Sequence, residues 1–364
     1  MRLHIVQPAV PAYRIDLFER LFRTLQCRVI VHASTQSELG ILETDISGRC
    51  WLNRIGPMKK LGPVEWQVGA LSIPVSSDDI VVVCGAPRTL STLALMVKTR
   101  AKGAKLVWWG HYWSSTSKEW RARIRLWMLR FTDAVIFYTD AEVERYKKYR
   151  KVGKNRPVHA LNNGLNVSEI SEFRAPYMPG LRPRDLFFLG RISEKSGLRL
   201  ALEALSLPEC QHITLDIVGD GPLKKELQQY SLSIGVNRRV NWHEATVAEG
   251  LIAEIANACK AFVYPGSVGL SLIHTLTYGL PAIVHSEMSA QMPEFAALQP
   301  GKNGITFSRG DATSLANAIN SLVSDDTYLT ELSRGAILTT EHTYNTEDMA
   351  KRFSKTIAEI FEMQ

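Results

Sequence analysis

Short apolar runs that do not alternate with polar residues recur along this chain, most of them followed by a helical stretch. In the first half they are Leu3-His4-Ile5-Val6, Arg28-Val29-Ile30-Val31, Ile80-Val81-Val82-Val83-Cys84, Lys105-Leu106-Val107-Trp108-Trp109, Ala134-Val135-Ile136-Phe137-Tyr138 and Pro157-Val158-His159-Ala160-Leu161. An amphipathic helix is expected at 15–22 and a further helix at 90–102. A strand with water on one face alternates, whereas one covered on both faces is apolar throughout, so the pattern predicts a parallel sheet between helices. The rhythm pauses at Ala175–Pro183, with three prolines and a glycine, a composition suited to a linker. It restarts with Leu186-Phe187-Phe188-Leu189, Thr214-Leu215-Asp216-Ile217-Val218, Ala261-Phe262-Val263-Tyr264 and Pro281-Ala282-Ile283-Val284. At 364 residues the chain exceeds one ordinary core. The expected fold is α/β: two doubly wound Rossmann-like domains facing each other across a cleft, with ligands at the strand C-termini. The expected domains are 1–175 and 176–344, and residues 345–364 form an amphipathic helix that packs back on the first.

Composition narrows the setting. No apolar run approaches the ~20 residues of a membrane span. Met1–Phe18 is broken by Pro8 and Pro11 and charged at Arg14 and Asp16, unlike a signal peptide. Cys27, Cys50, Cys84, Cys210 and Cys259 are scattered and odd in number, which predicts reduced core cysteines, no disulfide, no zinc site and a cytoplasmic location. Residues 1–175 hold 27 Lys+Arg against 15 Asp+Glu, and the remainder holds 16 against 21. A basic first half suits an anionic membrane surface, an acidic substrate or nucleic acid. Nucleic acid is disfavoured, because no recognisable module accompanies the charge.

Three stretches in the second half carry chemistry. Gly190-Arg191-Ile192-Ser193-Glu194-Lys195-Ser196-Gly197 follows a strand and opens a helix. Its two cations, four positions apart, suit a diphosphate clamp, Arg191 as a planar fork of donors and Lys195 as a compact charge. A solvated basic turn fits the same residues. Gly219-Asp220-Gly221-Pro222 also ends a strand, and either admits a ligand close to the backbone or simply turns the chain. Tyr264-Pro265-Gly266-Ser267-Val268-Gly269-Leu270-Ser271 enters a helical run, and free amides at a helix start attract phosphate. Ser271 reads equally as an N-cap, and His274 as a ligand contact or a satisfied core histidine.

In order and spacing these stretches resemble the retaining glycosyltransferases of family 4, which have the two-domain GT-B fold. The resemblance covers most of the chain. It includes G-R-x-x-x-K-x-G at Gly190–Gly197, the V-G-D-G-P turn and the P-G-S-V-G-L-S-L-I-H…G-L-P block. Pro293-Glu294 and Gly304, Asn163-Gly164-Leu165-Asn166 near the end of the first domain, and Trp109-Gly110-His111 after a strand complete it. The resemblance implies that Arg191 and Lys195 bind the donor diphosphate and that the amides of Gly269, Leu270 and Ser271 complete the cradle. Gly190, Gly219, Asp220, His274 and Glu294 would line the donor, and His111 would face the donor sugar as a catalytic group. It implies no metal and no cofactor, the cations and helix end neutralising the leaving diphosphate, and transfer with retention. One departure stands out: the family's two glutamates, eight positions apart, are replaced here by Gly266 and His274. A bacterial subgroup acting on surface polysaccharides has a similar G-L-S-x-I-H-x-x-x-Y-G-L-P block.

Ser117–Phe131 puts Trp120, Ile124, Trp127, Met128 and Phe131 on one helical stripe, with Lys118, Arg121, Arg125 and Arg130 around it. That is the pattern of an interfacial helix at a membrane and equally of a core-facing amphipathic helix. Arg145–Arg156 adds a second basic cluster that faces anionic lipid or water. Tyr13 and Arg14, in the first loop, either contact acceptor or donor sugar or anchor the following helix. The leading expectation is a transferase moving sugar from a nucleotide-sugar donor to a lipid-linked or oligosaccharide acceptor. A nucleotide-sugar epimerase or hydrolase and a non-catalytic assembly subunit are the alternatives.

Overall fold

The computed structural model describes residues 1–34, 46, 48–111, 119–149 and 156–362. The chain divides into two compact units, Met1–Asn162 with Thr346–Gln364, and Asn163–Asn345.

In the first unit the elements run β1 (Arg2–Ala9), α1 (Ile15–Thr24), β2 (Arg28–Ser34), β3 (Leu52–Arg54), β4 (Met58–Leu61), β5 (Val64–Gln67), β6 (Ile80–Cys84), α2 (Leu90–Ala101), β7 (Lys105–Trp109), α3 (Glu119–Leu129), β8 (Ala134–Phe137), α4 (Asp140–Tyr149) and β9 (Val158–Ala160). The strands β3-β2-β1-β6-β7-β8-β9 form one sheet, with all pairings parallel, and β4 and β5 form a separate antiparallel hairpin. Both faces of the sheet are buried. Ile80, Val82, Val107, Trp109 and Ile136 pack on one side, and Val81, Val83, Leu106, Trp108 and Phe137 on the other. This is why the strands read as apolar without alternation. The sequence order reverses between β1 and β6, so the loops leaving these two strands diverge and open the space where doubly wound sheets bind ligands.

The second unit follows with α5 (Val167–Ser171), β10 (Arg184–Leu189), α6 (Leu198–Ser206), β11 (Leu215–Val218), α7 (Lys224–Ser233), β12 (Val240–His243), α8 (Glu249–Ala258), β13 (Cys259–Tyr264), α9 (Leu270–Thr277), β14 (Ala282–His285), β15 (Gly304–Phe307), α10 (Ala312–Val323) and α11 (Asp326–His342). Its sheet, β12-β11-β10-β13-β14-β15, is parallel throughout, and its switch point lies between β10 and β13.

The division falls earlier than residue 175. The segment 163–175 joins the second unit because Leu165 N–H donates to Tyr344 O at 3.2 Å and Ile170 enters that unit's core. Ala175–Pro183 is no loose tether either: Arg182 is buried, donates to the carbonyls of Ala256 and Cys259, and stacks over Tyr177 at 4.3 Å. The last helix, α12 (Thr346–Glu362), places Met349, Phe353, Ile357 and Ile360 in the first unit's core beside Leu17, Phe18 and Leu21. Among the described residues no helix is long and apolar enough to cross a membrane.

Candidate functional site

The switch point of the second unit is built from two loops stitched together by backbone hydrogen bonds. Gly266 N–H donates to Ser196 O at 3.0 Å and Ser267 N–H to Lys195 O at 2.9 Å. A third loop locks to the first, with Gly190 N–H on Val218 O at 3.1 Å and Ile192 N–H on Asp220 O at 2.8 Å. Two glycines allow these approaches. A Cβ on Gly266 would stand 2.0 Å from Lys195 O, and one on Gly219 would stand 2.0 Å from Gly190 O. Position 266 therefore has no room for a glutamate: the absence of that carboxylate is built into the backbone packing.

Around this framework the expected donor residues of the second unit come together. Arg191 and Lys195 are exposed, and among the described residues neither makes an ion pair. Their neighbours Arg184 and Arg199 are by contrast committed to Asp216 and Glu226. Asp220 contributes its carbonyl to the loop lock, while its side chain is exposed. α9 starts at Leu270 with Gly269 as its N-cap and no capping side chain, so Ser271 is inside the helix and the expected cap role falls away. The amides of Gly269, Leu270 and Ser271 have no acceptor among the described residues, and the helix presents its positive end there. Val268 N–H is held by Gln291 Oε1 at 2.8 Å, and Gln291 Nε2 in turn donates to His285 O at 2.9 Å, which fixes the loop just before the helix.

Glu294 is 6% exposed. Its Oε1 accepts from Asn163 Nδ2 at 2.7 Å. Its Oε2 is buried without a hydrogen-bond partner among the described residues, 4.0 Å from where a Gly269 side chain would begin. His274, one turn into α9, is partly buried, with Nε2 2.7 Å from Glu249 Oε1. Glu249 and Asn163 escaped assignment from sequence. Glu249 is distant in sequence from every motif, and only the placement of α8 beside α9 brings it in. The Asn163 pairing joins residues 131 positions apart.

Tyr13, Arg14 and His111 belong to the first unit. Arg14 is buried, its guanidinium 4.9 Å from the Trp109 ring and 5.4 Å from that of Tyr13, on the loop that leaves β1 at that unit's switch point. His111 follows β7. Its ring lies 4.1 Å from that of Tyr138, and its Nδ1 is 3.3 Å from Glu142 Oε1. Glu142 Oε2 accepts from the amides of Tyr138 and Thr139 at the start of α4. A carboxylate anchored in this way accepts from Nδ1–H and leaves Nε2 as the outward atom of the ring.

On the expected membrane stripe, Ile124, Trp127 and Phe131 are exposed, Trp127 at 58%, whereas Met128 is buried. Trp127 and Phe131 pack edge to face at 4.9 Å. The side chains of Lys118, Trp120 and Arg121, and residues 150–155 of the second basic cluster, lie outside the described residues. Arg156 leaves that cluster: its guanidinium donates to Thr132 O at 3.1 Å and also binds Leu129 O and Tyr146.

Two doubly wound units, one with paired cations at its switch point beside a helix N-terminus, define the GT-B class of fold. Residues 183–325, which span this second-unit site, match the family model "Glycosyl transferases group 1". In sequence the chain is 24% identical over 217 residues to the lipopolysaccharide core biosynthesis glycosyltransferase LpsE of Rhizobium meliloti (strain 1021), a match covering 57% of this chain and 59% of that protein. The matched stretch is thus less than two thirds of that relative. In structure it is similar to HepE of Anabaena in complex with UDP, with a TM-score of 0.70, 16% identity and 98% and 99% of the two chains covered. The sucrose-phosphate synthase of Thermosynechococcus elongatus gives a TM-score of 0.70 at 15% identity over 100% of both chains. The pneumococcal O-GlcNAc transferase GtfA in complex with UDP and GlcNAc gives 0.69 at 11% identity over 99% of each. At these identities the structural likeness is one of fold.

Proposed function

We propose that this chain is a glycosyltransferase that moves a sugar from a nucleoside-diphosphate donor to a lipid-linked or oligosaccharide acceptor in surface-polysaccharide synthesis. The observation that carries this reading is the pair of exposed, unpaired cations, Arg191 and Lys195, at the same switch point as the uncapped start of α9. Three sources of positive potential converge on one end of one sheet, and a diphosphate is the ligand whose charge and reach match them. The match to the group 1 glycosyltransferases and the surface-polysaccharide role in the name of LpsE support the same reading. So do the UDP and UDP-glucose with which HepE was solved.

In the reaction so proposed, an acceptor hydroxyl forms a bond to the anomeric carbon as the carbon–oxygen bond to the diphosphate breaks. The bonding pair leaves on the diphosphate, and a diphosphate oxygen takes the acceptor's proton. Arg191, Lys195 and the amides of Gly269, Leu270 and Ser271 stabilise the charge that develops on the leaving group. These residues supply positive charge to the leaving group without a metal ion. Transfer with retention and membership of family 4 rest on the resemblance of the motifs. His111, with its outward Nε2, is assigned to the donor sugar.

The exposed Trp127–Phe131 pair at the end of α3, with Arg123 and Arg130 also exposed, is assigned to an anionic membrane surface that carries the acceptor. One observation favours a different reading, a non-catalytic assembly subunit: Gly266 cannot hold a carboxylate. Release of nucleoside diphosphate from UDP-, GDP- or ADP-sugars separates the possibilities. Release that requires added glycan acceptor supports the transferase, release without acceptor indicates a hydrolase, and none from any donor indicates the subunit.

A further inference from the structure

The first unit carries an insertion that its alternation of strands and helices does not require. Between β3 and β6 the chain makes the antiparallel hairpin of β4 and β5, closed by a two-residue turn, with Leu61 paired to Val64. Gly62 takes the left-handed backbone of that turn, at φ +63°, which glycine adopts without steric cost. One face of the hairpin is docked, and Met58 and Gln67 are buried there. Gln67 Nε2 donates to Gln7 O on β1 at 2.9 Å, and the Gln67 amide donates to Ser91 Oγ in the first turn of α2, also at 2.9 Å. Glu65 N–H donates to Arg88 O at 2.9 Å, on the loop between β6 and α2. The hairpin is therefore fixed to both arms of the first unit's switch point, the place where a doubly wound sheet takes its ligands.

The other face is different in character. Side chains alternate across a strand, so Lys59 and its cross-strand partner Trp66 project together from the side opposite Met58 and Gln67. Lys59, Lys60 and Leu61 are exposed, and Trp66 is half-buried. Among the described residues neither lysine makes an ion pair. The hairpin's one carboxylate, Glu65, is taken by Arg88, whose Nε lies 3.2 Å away. At the start of α4, Glu142 is held by the amides of Tyr138 and Thr139, and Asp140 by Arg352. Two uncommitted cations beside an indole thus remain where these negative charges are already matched.

We propose that this hairpin binds an acidic sugar of the acceptor, its ring packed on Trp66 and its carboxylate or phosphate paired with Lys59. Lys60, next in the chain, adds to the local positive potential. A pyranose has a face of C–H bonds that packs on an indole while its polar groups stay in water, the contact a half-buried tryptophan offers. An anionic group on that ring meets Lys59 as a compact point charge. The tight turn and the docked inner face hold the platform in place before the sugar arrives, which lowers the entropy cost of binding. This assignment rests on the transferase reading above and narrows the acceptor from any glycan to an anionic one.

The test is titration of the full chain, without nucleotide, with three trisaccharides that end in glucuronic acid, in glucose 6-phosphate and in glucose. One acidic probe is expected to bind about fivefold tighter than the neutral one, a preference that shrinks as salt is raised. The two acidic probes separate a carboxylate from a phosphate as the source of the charge. Lys59→Gln with Lys60→Gln removes the preference and leaves the neutral probe unchanged. Trp66→Ala weakens acidic and neutral probes alike, and Trp66→Phe recovers part of the loss. Both lysines are exposed, so their replacement leaves the fold in place and decides the matter even where Trp66→Ala unfolds the hairpin. No preference in the wild type, or a preference untouched by the lysine pair, overturns the inference, and nucleotide binding that persists beside that result leaves the transferase reading standing. Loss of flotation with anionic liposomes in the lysine variant, with the sugar preference unchanged, makes the hairpin a membrane contact and overturns the inference as well. An acidic preference in a wild type that binds no nucleotide supports the hairpin site while removing the transferase reading.

Discussion

The amide of Ser267 donates to the carbonyl of Lys195 at 2.9 Å, so the loop that leads into α9 and the loop that carries the diphosphate cations form one backbone unit. The spacing between Lys195 and the start of α9 is therefore set by main-chain geometry rather than by side-chain packing. The backbone from which the Lys195 side chain extends is thus held in place relative to the helix start before a diphosphate arrives.

Any side chain at Gly266 breaks that unit, because its Cβ would overlap Lys195 O. Gly266→Ala is expected to destabilise the second unit by about 2 kcal/mol and to lower nucleotide affinity with it. Gly266→Glu, which installs the residue type of the family that the motifs resemble, is expected to be worse rather than better. Thermal melts and nucleotide titration of the two variants check this, and a Gly266→Glu variant more active than wild type would contradict it.

The first unit carries a pH dependence unrelated to the site. Asn53 Nδ2 donates to His32 Nδ1 at 2.8 Å, His32 Nε2 pairs with His4 Nδ1 at 2.9 Å, and His4 Nε2 faces Asp79 at 3.5 Å. Both imidazoles are buried and need one hydrogen each to complete the chain. Burial and the adjacent His4 push His32 down to about 3, and burial lowers His4 despite the opposing Asp79 charge. Burial lowers His285 in the second unit as well. With folded values below unfolded ones, this stability is present above about pH 6.5 and is lost as pH falls toward the folded values, at about 1.4 kcal/mol per pH unit for each group. Urea midpoints should fall steadily from pH 7 to pH 5, and less steeply in His32→Asn. A flat profile would contradict the network.

Much of this architecture was legible in the sequence, for a definite reason. Strands such as Ile80–Cys84 and Lys105–Trp109 are buried on both faces and so are apolar at every position, a signal that short-range chemistry alone produces. The hairpin Met58–Gln67, buried only at its ends and partly exposed between them, carries no such signal. Gly190–Gly197 and Gly266–Ser271 were legible because close backbone approach demands glycine at fixed positions. Glu249 was not, because its pairing with His274 joins single side chains of two separate helices. The domain boundary was misplaced for a related reason: the prolines of Ala175–Pro183 suggest a tether, but Arg182 and Tyr177 pin that stretch to the second unit.

The exposed ring pair Trp127–Phe131, at the end of α3, carries the membrane assignment. Trp127→Ser with Phe131→Ser is expected to reduce flotation with anionic liposomes several-fold at low salt. Arg123→Glu with Arg130→Glu should do the same and flatten the salt dependence. Binding unchanged in both pairs would leave this face without a membrane role.

His111 is expected to act on the reacting sugar rather than on the nucleotide. His111→Ala should lower kcat by about a hundredfold or more with little change in nucleotide affinity. Glu142→Gln should give a smaller loss in the same direction, as a residue that orients the ring. Equal losses in turnover and affinity would move His111 to a binding role.

The central claim is that Arg191 and Lys195 hold a nucleoside diphosphate. The direct measurement is calorimetric binding of UDP, GDP, ADP and CMP to the wild type and to Lys195→Ala. One of the diphosphates is expected to bind, CMP not to compete with it, and Lys195→Ala to weaken binding at least tenfold. No binding by any nucleotide, or equal binding by the variant, would contradict it and leave the non-catalytic subunit as the better description.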